Sequence, residues 1–501
     1  MFEKITPEQA GISSDKVAKL ISIMEKRGAA THGILMMRGG KIFAEEYWKP
    51  FHKDFCHRMY SQTKSFVGIA VMLLQEEGKL DINDKIIDYF PEKIDGELPA
   101  FLEDQTIRDM LTMRTIGYSK RWFTSNDPDR THEYLNDKTS FTRTGNKIRP
   151  SSTLWGYDSP GSQVLCSLVE KLSGKTLLDY MKERLFNKMG TFQTATVLQT
   201  RNGDSWGDSA MVCTLRDIAS FAQLLVNGGT WEGEQLMRAD YVREATSKQV
   251  DNRESAKYGV YRQGYGYQIW RTEYNGFAFV GMGHQMTYCY PDKDLVFTYV
   301  SDNQGATSDS LRELVGGAFQ DLILEELKDA PLPENKAAQK RYQKVTKNLK
   351  LRAVQGQEDS PFREELNGVK YVCDENPMGI KEFSFRFTSA KRGTFYYTNA
   401  QGKKKIPFGV NHNVFGKFPQ LGYSNERGGM RTTDGFMYDD AASIAWAEDK
   451  KLILFVQVID RYFGNMSAIF AFKDDLAGVH FSKSAEEFMC EYEGFALAHR
   501  V

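Results

Sequence analysis

The sequence has no excess of either charge: 65 lysines and arginines face 66 aspartates and glutamates, a formal net charge of −1. Without a global field, neither nucleic acid nor an anionic membrane surface is favoured as a partner. No apolar run approaches the length that crosses a bilayer. The amino-terminal MFEKITPEQAGISSDK lacks the basic start and apolar core of a secretory signal. Cysteine is sparse and unpaired in pattern. Cys56, Cys166, Cys213, Cys289, Cys373 and Cys490 show no CxxC, and several sit in apolar stretches such as VLCSLV and MVCTL, as reduced core thiols do. These absences together predict a cytoplasmic protein. Histidine is also scarce: His52 and His57 flank Cys56, but no further ligands stand at zinc spacing, so neither a metal nor another cofactor is expected. The missing G-x-S-x-G elbow argues against an α/β-hydrolase. Gly174-Lys175-Thr176 lacks the preceding glycine of a phosphate loop. No repeat of solenoid or propeller period is present.

What is present is a soluble globular composition, 41% hydrophobic and 26% charged, in a chain of 501 residues that is too long for one ordinary core. The spacing predicts a helix from Ser14 to Gly28, then a hairpin of HGILMMR and KIFAEEYW turned by Gly39-Gly40. TKSFVGIAVMLLQEEGKL reads as a buried helix closed by Gly78, with further helices near 106–114, 161–173, 176–187 and 214–227. Strand signals return at 277–281, 286–290 and 294–301, and a long helix follows near 308–327. The fold class is therefore α+β: an antiparallel sheet flanked by helices, with a helical region inserted, over residues 1–330. Residues 331–350, within the charged stretch KDAPLPENKAAQKRYQKVTKNLK, read as a partly helical linker. From 351 to 501, short alternating runs such as EFSFRFT, GTFYYTN and LILFVQVID predict an all-β module that ends in a helix-like SAEEFMCEYEGF.

Two S-x-x-K matches occur. In Ser13-Ser14-Asp15-Lys16 the polar residues are explained as helix caps. Ser61-Gln62-Thr63-Lys64 instead opens a strongly apolar helix after an aromatic segment. Three residues apart on a helix, Ser61 and Lys64 project from one face. The free N–H groups and positive end of the helix suit a developing oxyanion. A serine hydroxyl is a weak nucleophile until a neighbouring base takes its proton, and an amine held away from water can do so. Downstream, Trp155-Gly156-Tyr157-Asp158-Ser159-Pro160-Gly161 forms a turn before a helix, where Tyr157 and Ser159 point into space. A tyrosine hydroxyl beside ammonium groups can serve as a general acid/base.

These elements in combination resemble the serine β-lactamase and penicillin-binding-protein superfamily of the class C type, which includes family VIII esterases, D-aminopeptidases and nylon-oligomer hydrolases. The similarity runs from about residue 5 to 327, through MYSQTKSF, GKLDINDKIIDYFPE, TIRDMLTM, YDSPGSQVLCSLVEKLSG, CTLRDIASFAQLLVNGG and GMGHQMTYCYPDKDLVF. It implies that Ser61 is the nucleophile, Lys64 its partner, Tyr157 the general acid/base and Ser159 a hydrogen-bonding residue of the second motif. The third family element usually reads Lys-Thr-Gly or His-x-Gly. Here it reads Phe279-Val280-Gly281-Met282-Gly283-His284-Gln285, close to the nylon-oligomer hydrolase version. By that analogy the Met282 N–H completes an oxyanion hole with that of Ser61, and Gly281, His284 and Gln285 are substrate-binding candidates. Without the lysine, lactam hydrolysis is not expected as the main activity. Ser301-Asp302-Asn303 spells a lactamase motif but follows the third element, where it reads as a strand-end turn.

The function these features predict is a serine hydrolase of a small ester or amide, acting through an acyl-enzyme. One alternative is an acyltransferase that passes the acyl group to an alcohol or amine. A second is a non-catalytic scaffold with the lactamase fold. The segment 118–150, with Trp122 and Phe123, is expected over the site, and Trp155 and Trp270 near it. The carboxy-terminal module resembles the lipocalin-like domains appended to some family members, with roles in covering the cleft, contacting substrate or assembling a homo-oligomer.

Overall fold

The computed structural model describes residues 2–117, 127–137, 149–256, 261–304, 308–421, 437–485 and 489–501. Six strands of the first domain form one antiparallel sheet in the order Lys41–Tyr47, Thr31–Arg38, Leu295–Ser301, Gln285–Tyr290, Phe277–Gly281, Trp270–Arg271. The two ends of the domain meet in it: Met36 lies opposite Ala44 on one side and Phe297 on the other. Gly39 and Gly40 turn the first hairpin at φ 56° and 70°, a left-handed pair that glycine adopts without strain.

Both faces of this sheet are covered, which explains why its strands read as unbroken apolar runs. Leu35 and Met37 enter a core shared with helices Thr63–Glu76, Ser159–Ser173 and Leu215–Val226. Ile34 and Met36, on the alternate face, enter a second core with helix Ser14–Lys26 and the segment around Phe319. Helix Thr63–Glu76 is buried from Thr63 to Leu74, as its all-round apolar sequence requires. Its Gly68 has a packing reason, since a Cβ there would stand 2.5 Å from the Tyr267 carbonyl oxygen.

Within residues 331–350, helix Lys336–Thr346 lies along helix Ser14–Lys26. Arg341 grips Asp15 with two bonds of 2.7 Å, and the Tyr342 hydroxyl donates to Glu46 at 2.6 Å. The second domain is a closed, lipocalin-like barrel of nine strands. It closes where Gly409 and Val410 pair in parallel with Ser443 and Ile444, and Val414–Leu421 adds a further strand on Met437–Glu448. Among the described residues the expected terminal helix is not there. Ser484 and Ala485 end one strand, and Gly494–Arg500 is another, inserted between Lys370–Cys373 and Leu476–Ala485. Met489 and Tyr492 face the barrel core, so burial rather than helical periodicity sets that segment.

The two domains share cores. Leu198, Trp206, Ala210 and Val212 of the first join the barrel cluster, and Tyr60 and Phe51 pack with Leu351, Ala441, Ile459 and Phe463. All six cysteines are free thiols. No helix among the described residues is long and apolar enough to cross a membrane.

Candidate active site

Ser61 stands where a short strand becomes a helix. His57–Arg58 pairs with Met211–Cys213, the Met59 N–H donates to the Met211 carbonyl at 2.8 Å, and the chain then turns sharply through Tyr60. Tyr60 has φ 48°, a left-handed conformation that a bulky residue adopts only when its surroundings enforce it. The enforcement is visible. The ring is wholly buried, the Arg58 guanidinium lies 4.4 Å from its centroid, and the Thr63 hydroxyl donates to its carbonyl at 2.6 Å. The turn leaves Ser61 partly exposed at the start of helix Thr63–Glu76.

Lys64 is buried on the same helical face. Its Nζ donates to Ser61 Oγ at 3.0 Å and to the Asp208 carbonyl at 2.5 Å, and it sits 5.2 Å from the Tyr157 ring centroid. The three residues that the sequence singled out therefore meet at one place. Beneath them the buried Asp208 carboxyl is pushed above the ordinary aspartate range by burial, against the opposing pull of Lys64, Arg130 and Arg58.

Tyr157 is half-exposed and stacks on Trp270, with centroids 5.7 Å apart and planes at 18°. Its loop is fixed by Asp158, whose carboxylate caps helix Ser159–Ser173 through the Gly161 N–H at 2.9 Å and accepts from Thr115 Oγ1 at 2.5 Å. Ser159 is the first residue of that helix and partly exposed. Trp155 is buried against Tyr265 and Trp270, so it supports the aromatic wall rather than lining it. Trp122 and Phe123 lie outside the described residues.

The third element is the hairpin from Phe277–Gly281 to Gln285–Tyr290. Gly281 lies against the nucleophile turn: a Cβ on it would stand 2.3 Å from the Met59 carbonyl oxygen, which only glycine avoids. Gly283 and His284 turn the hairpin at φ 73° and 67°. The direct substrate contact expected of His284 and Gln285 has no exposed surface to make it, because both are 0% exposed. Gln285 instead braces the turn. Its Nε2 donates to the carbonyls of Met282 at 2.9 Å and Ser301 at 2.7 Å, and its Oε1 accepts from the Ser301 N–H at 3.1 Å. Ser301 Oγ adds a bond to the Gly283 carbonyl at 2.6 Å, so the Ser-Asp-Asn segment holds the third element from behind. Met282 itself is half-buried beside Tyr60, and among the described residues its N–H makes no hydrogen bond.

Sequence reasoning missed Tyr60, Asp208 and a buried imidazole pair. His32 Nδ1 and His57 Nε2 are 2.8 Å apart, and His57 Nδ1 is 2.9 Å from the Arg58 carbonyl. The second bond makes Nδ1 the protonated nitrogen of His57, so its Nε2 accepts the proton of His32. His32 stacks on Phe51 and His57 on Phe463. Burial holds His57 down to about 3 and lowers His32 as well. An unfolded chain protonates these rings below about pH 6.5, whereas the folded chain refuses the proton until far lower. Acidification from about pH 6.5 to about pH 5 should therefore cost about 2 kcal/mol at His57, with a loss of the same sign at His32. Thermal unfolding of wild type and His57→Gln at about pH 7.5 and about pH 5 checks this. The variant is expected to start less stable but to lose less on acidification, and an equal loss in both would contradict the assignment.

The site thus joins a serine–lysine pair at a helix start, a facing tyrosine and a glycine-edged strand on an antiparallel sheet. The chain belongs to the Beta-lactamase family, whose model matches residues 18–317. It is 24% identical over 254 residues to a 6-aminohexanoate-dimer hydrolase of Paenarthrobacter ureafaciens, covering 47% of this chain and 63% of that relative, less than two thirds of its length. The fold is shared with solved structures. A protein described as a 6-aminohexanoate-dimer hydrolase of Bacillus anthracis matches with a TM-score of 0.50 and 18% identity over 67% of this chain and 89% of that one. A D-amino acid amidase of Ochrobactrum anthropi matches with 0.50 and 15% over 63% and 98%.

Proposed function

We propose that this protein is a serine hydrolase of small esters or amides that works through a covalent acyl-enzyme on Ser61. In this reading residues 1–330 form the catalytic unit, 331–350 connect it, and 351–501 are the barrel. The observation that carries the proposal is the 3.0 Å bond from Lys64 Nζ to Ser61 Oγ, in a site that Tyr157 faces. Ser61 Oγ bonds to the substrate carbonyl carbon while the Lys64–Tyr157 pair takes its proton. The N–H groups of Ser61 and Met282 hold the oxyanion. The carbonyl–leaving-group bond then breaks, and Tyr157 delivers a proton to the departing alcohol or amine. Water repeats the sequence in reverse: it loses a proton to the same pair, attacks the acyl carbon and restores the Ser61 hydroxyl. Ser159, the partly exposed first residue of helix Ser159–Ser173, is a candidate hydrogen-bonding group for substrate, with the Tyr157–Trp270 stack as an apolar wall.

The third element carries no lysine to recognise a β-lactam carboxylate, and its Gln285 is turned inward. A screen of p-nitrophenyl esters, aminoacyl amides and nitrocefin tests the reading. Ester or amide turnover is expected, with nitrocefin at background. Strong nitrocefin hydrolysis would overturn the substrate class, and transfer product outrunning free acid when an alcohol or amine is added would make the enzyme an acyltransferase.

A further inference from the structure

The nucleophile turn is fastened to the barrel at the residue next to Ser61. The Phe463 N–H, where the turn after barrel strand Lys451–Ile459 enters strand Phe463–Lys473, donates to the Tyr60 hydroxyl at 3.0 Å. The adjacent Tyr462 ring lies 4.3 Å from the Arg58 guanidinium, on which the Tyr60 ring also rests, and Arg58 donates through Nε to the Ser209 carbonyl at 3.0 Å. The same barrel turn reaches the third element. Gln304 Nε2 donates to the Phe463 carbonyl and to Asp302 Oδ1, both at 2.7 Å, and Asn465 Nδ2 reaches Asp302 Oδ2 at 3.3 Å. Gln304 stands behind Gly283, whose added Cβ would meet Gln304 Cγ at 3.6 Å. Tyr60 and Met282 meet over one small apolar patch with Ile459 and Phe463.

We infer that the barrel turn 460–465 sets the spacing between the Ser61 and Met282 N–H groups, and that Tyr60 and Gln304 are positioning residues for the oxyanion. The inference deepens the proposed function and rests on it. Its physical basis is that oxyanion donors act only within about 2.7–3.1 Å of the developing charge, so a small displacement of either donor lowers the rate sharply. Such donors strengthen the transition state more than the bound substrate, so the loss falls on kcat and spares KM. The geometry also divides the labour within the molecule. Ser61 and Lys64 are three residues apart, on a 3-10 turn that runs directly into helix Thr63–Glu76, and share a local 3.0 Å bond. The two N–H donors come from elements 221 residues apart in sequence (282 minus 61), and a third element ties them together.

Full-length Tyr60→Phe keeps the ring against Arg58 and removes only the hydroxyl. Gln304→Ala removes the tie to the third element without touching the nucleophile turn. Each is expected to lower kcat on a p-nitrophenyl ester about 10-fold with KM within about twofold, and to slow acylation of Ser61 by a fluorophosphonate less than it slows turnover. The double variant is expected to fall little below either single one, because both act on one spacing. Phe495→Ser, on the exposed outer face of the barrel, serves as control and should keep wild-type kinetics. A purely structural contact would lower the thermal midpoint and leave kcat intact. If Tyr60→Phe and Gln304→Ala both retain wild-type kcat while Ser61→Ala is inactive, the barrel is a passive neighbour and the inference fails with the site still standing. If Ser61→Ala is as active as wild type, the site reading itself has failed. Should Tyr60→Phe not fold, Gln304→Ala alone decides.

Discussion

Ser61→Ala is expected to lower hydrolysis of the best ester or amide substrate by roughly 10³-fold or more, because the proposed mechanism forms its acyl intermediate on this hydroxyl. Mass spectrometry gives the companion result: wild type gains one acyl or phosphonyl adduct on the peptide that contains Ser61, and the variant gains none. The effect is large because the site concentrates its chemistry. Lys64 is buried, and among the described residues its side chain donates to Ser61 and to the Asp208 carbonyl, so in the proposed mechanism it serves one hydroxyl. Labelling of Ser61→Ala at the wild-type rate would remove this residue from the mechanism.

Tyr157→Phe carries the second large effect, a fall of about 10²–10⁴-fold typical of losing a positioned acid/base. The ring remains to stack on Trp270 and to face Lys64, so folding and the apolar wall should survive. The size of the defect should depend on the leaving group. A p-nitrophenolate departs without a proton, whereas an amine must be protonated as it leaves. The variant is therefore expected to lose far more on an amide than on the activated ester. Equal losses on both would mean that Tyr157 helps to remove the serine proton but does not serve the leaving group.

Much of this site was legible locally. The apolar helix after Ser61 and the turn before helix Ser159–Ser173 are properties of short windows, and the helix start sets Ser61 and Lys64 on one face. The sheet was legible for the same reason, since its strands carry unbroken apolar runs. Other features depend on where side chains turn. Gln285 looks like a polar group for substrate, yet its amide is used up by the main chain of its own hairpin and of Ser301. Polarity in a turn does not say which way the residue faces. His57 beside Cys56 stands at no zinc spacing, and its partner, His32, lies on a different strand that no local window connects to it. The terminal segment around Met489 and Tyr492 has helical spacing, but closure of a barrel decided its conformation. The tie between Tyr60 and Phe463 spans 403 residues, a separation at which no window of sequence carries a signal.

That last span has a consequence for how the working molecule comes into being. Synthesis delivers Tyr60 a full 403 residues before Phe463, so a growing chain carries an unfastened turn through all of that stretch. Closing so long a loop is entropically costly and gains nothing until the barrel has assembled around Phe463. A molecule refolding from denaturant should accordingly regain its helical signal before it regains turnover.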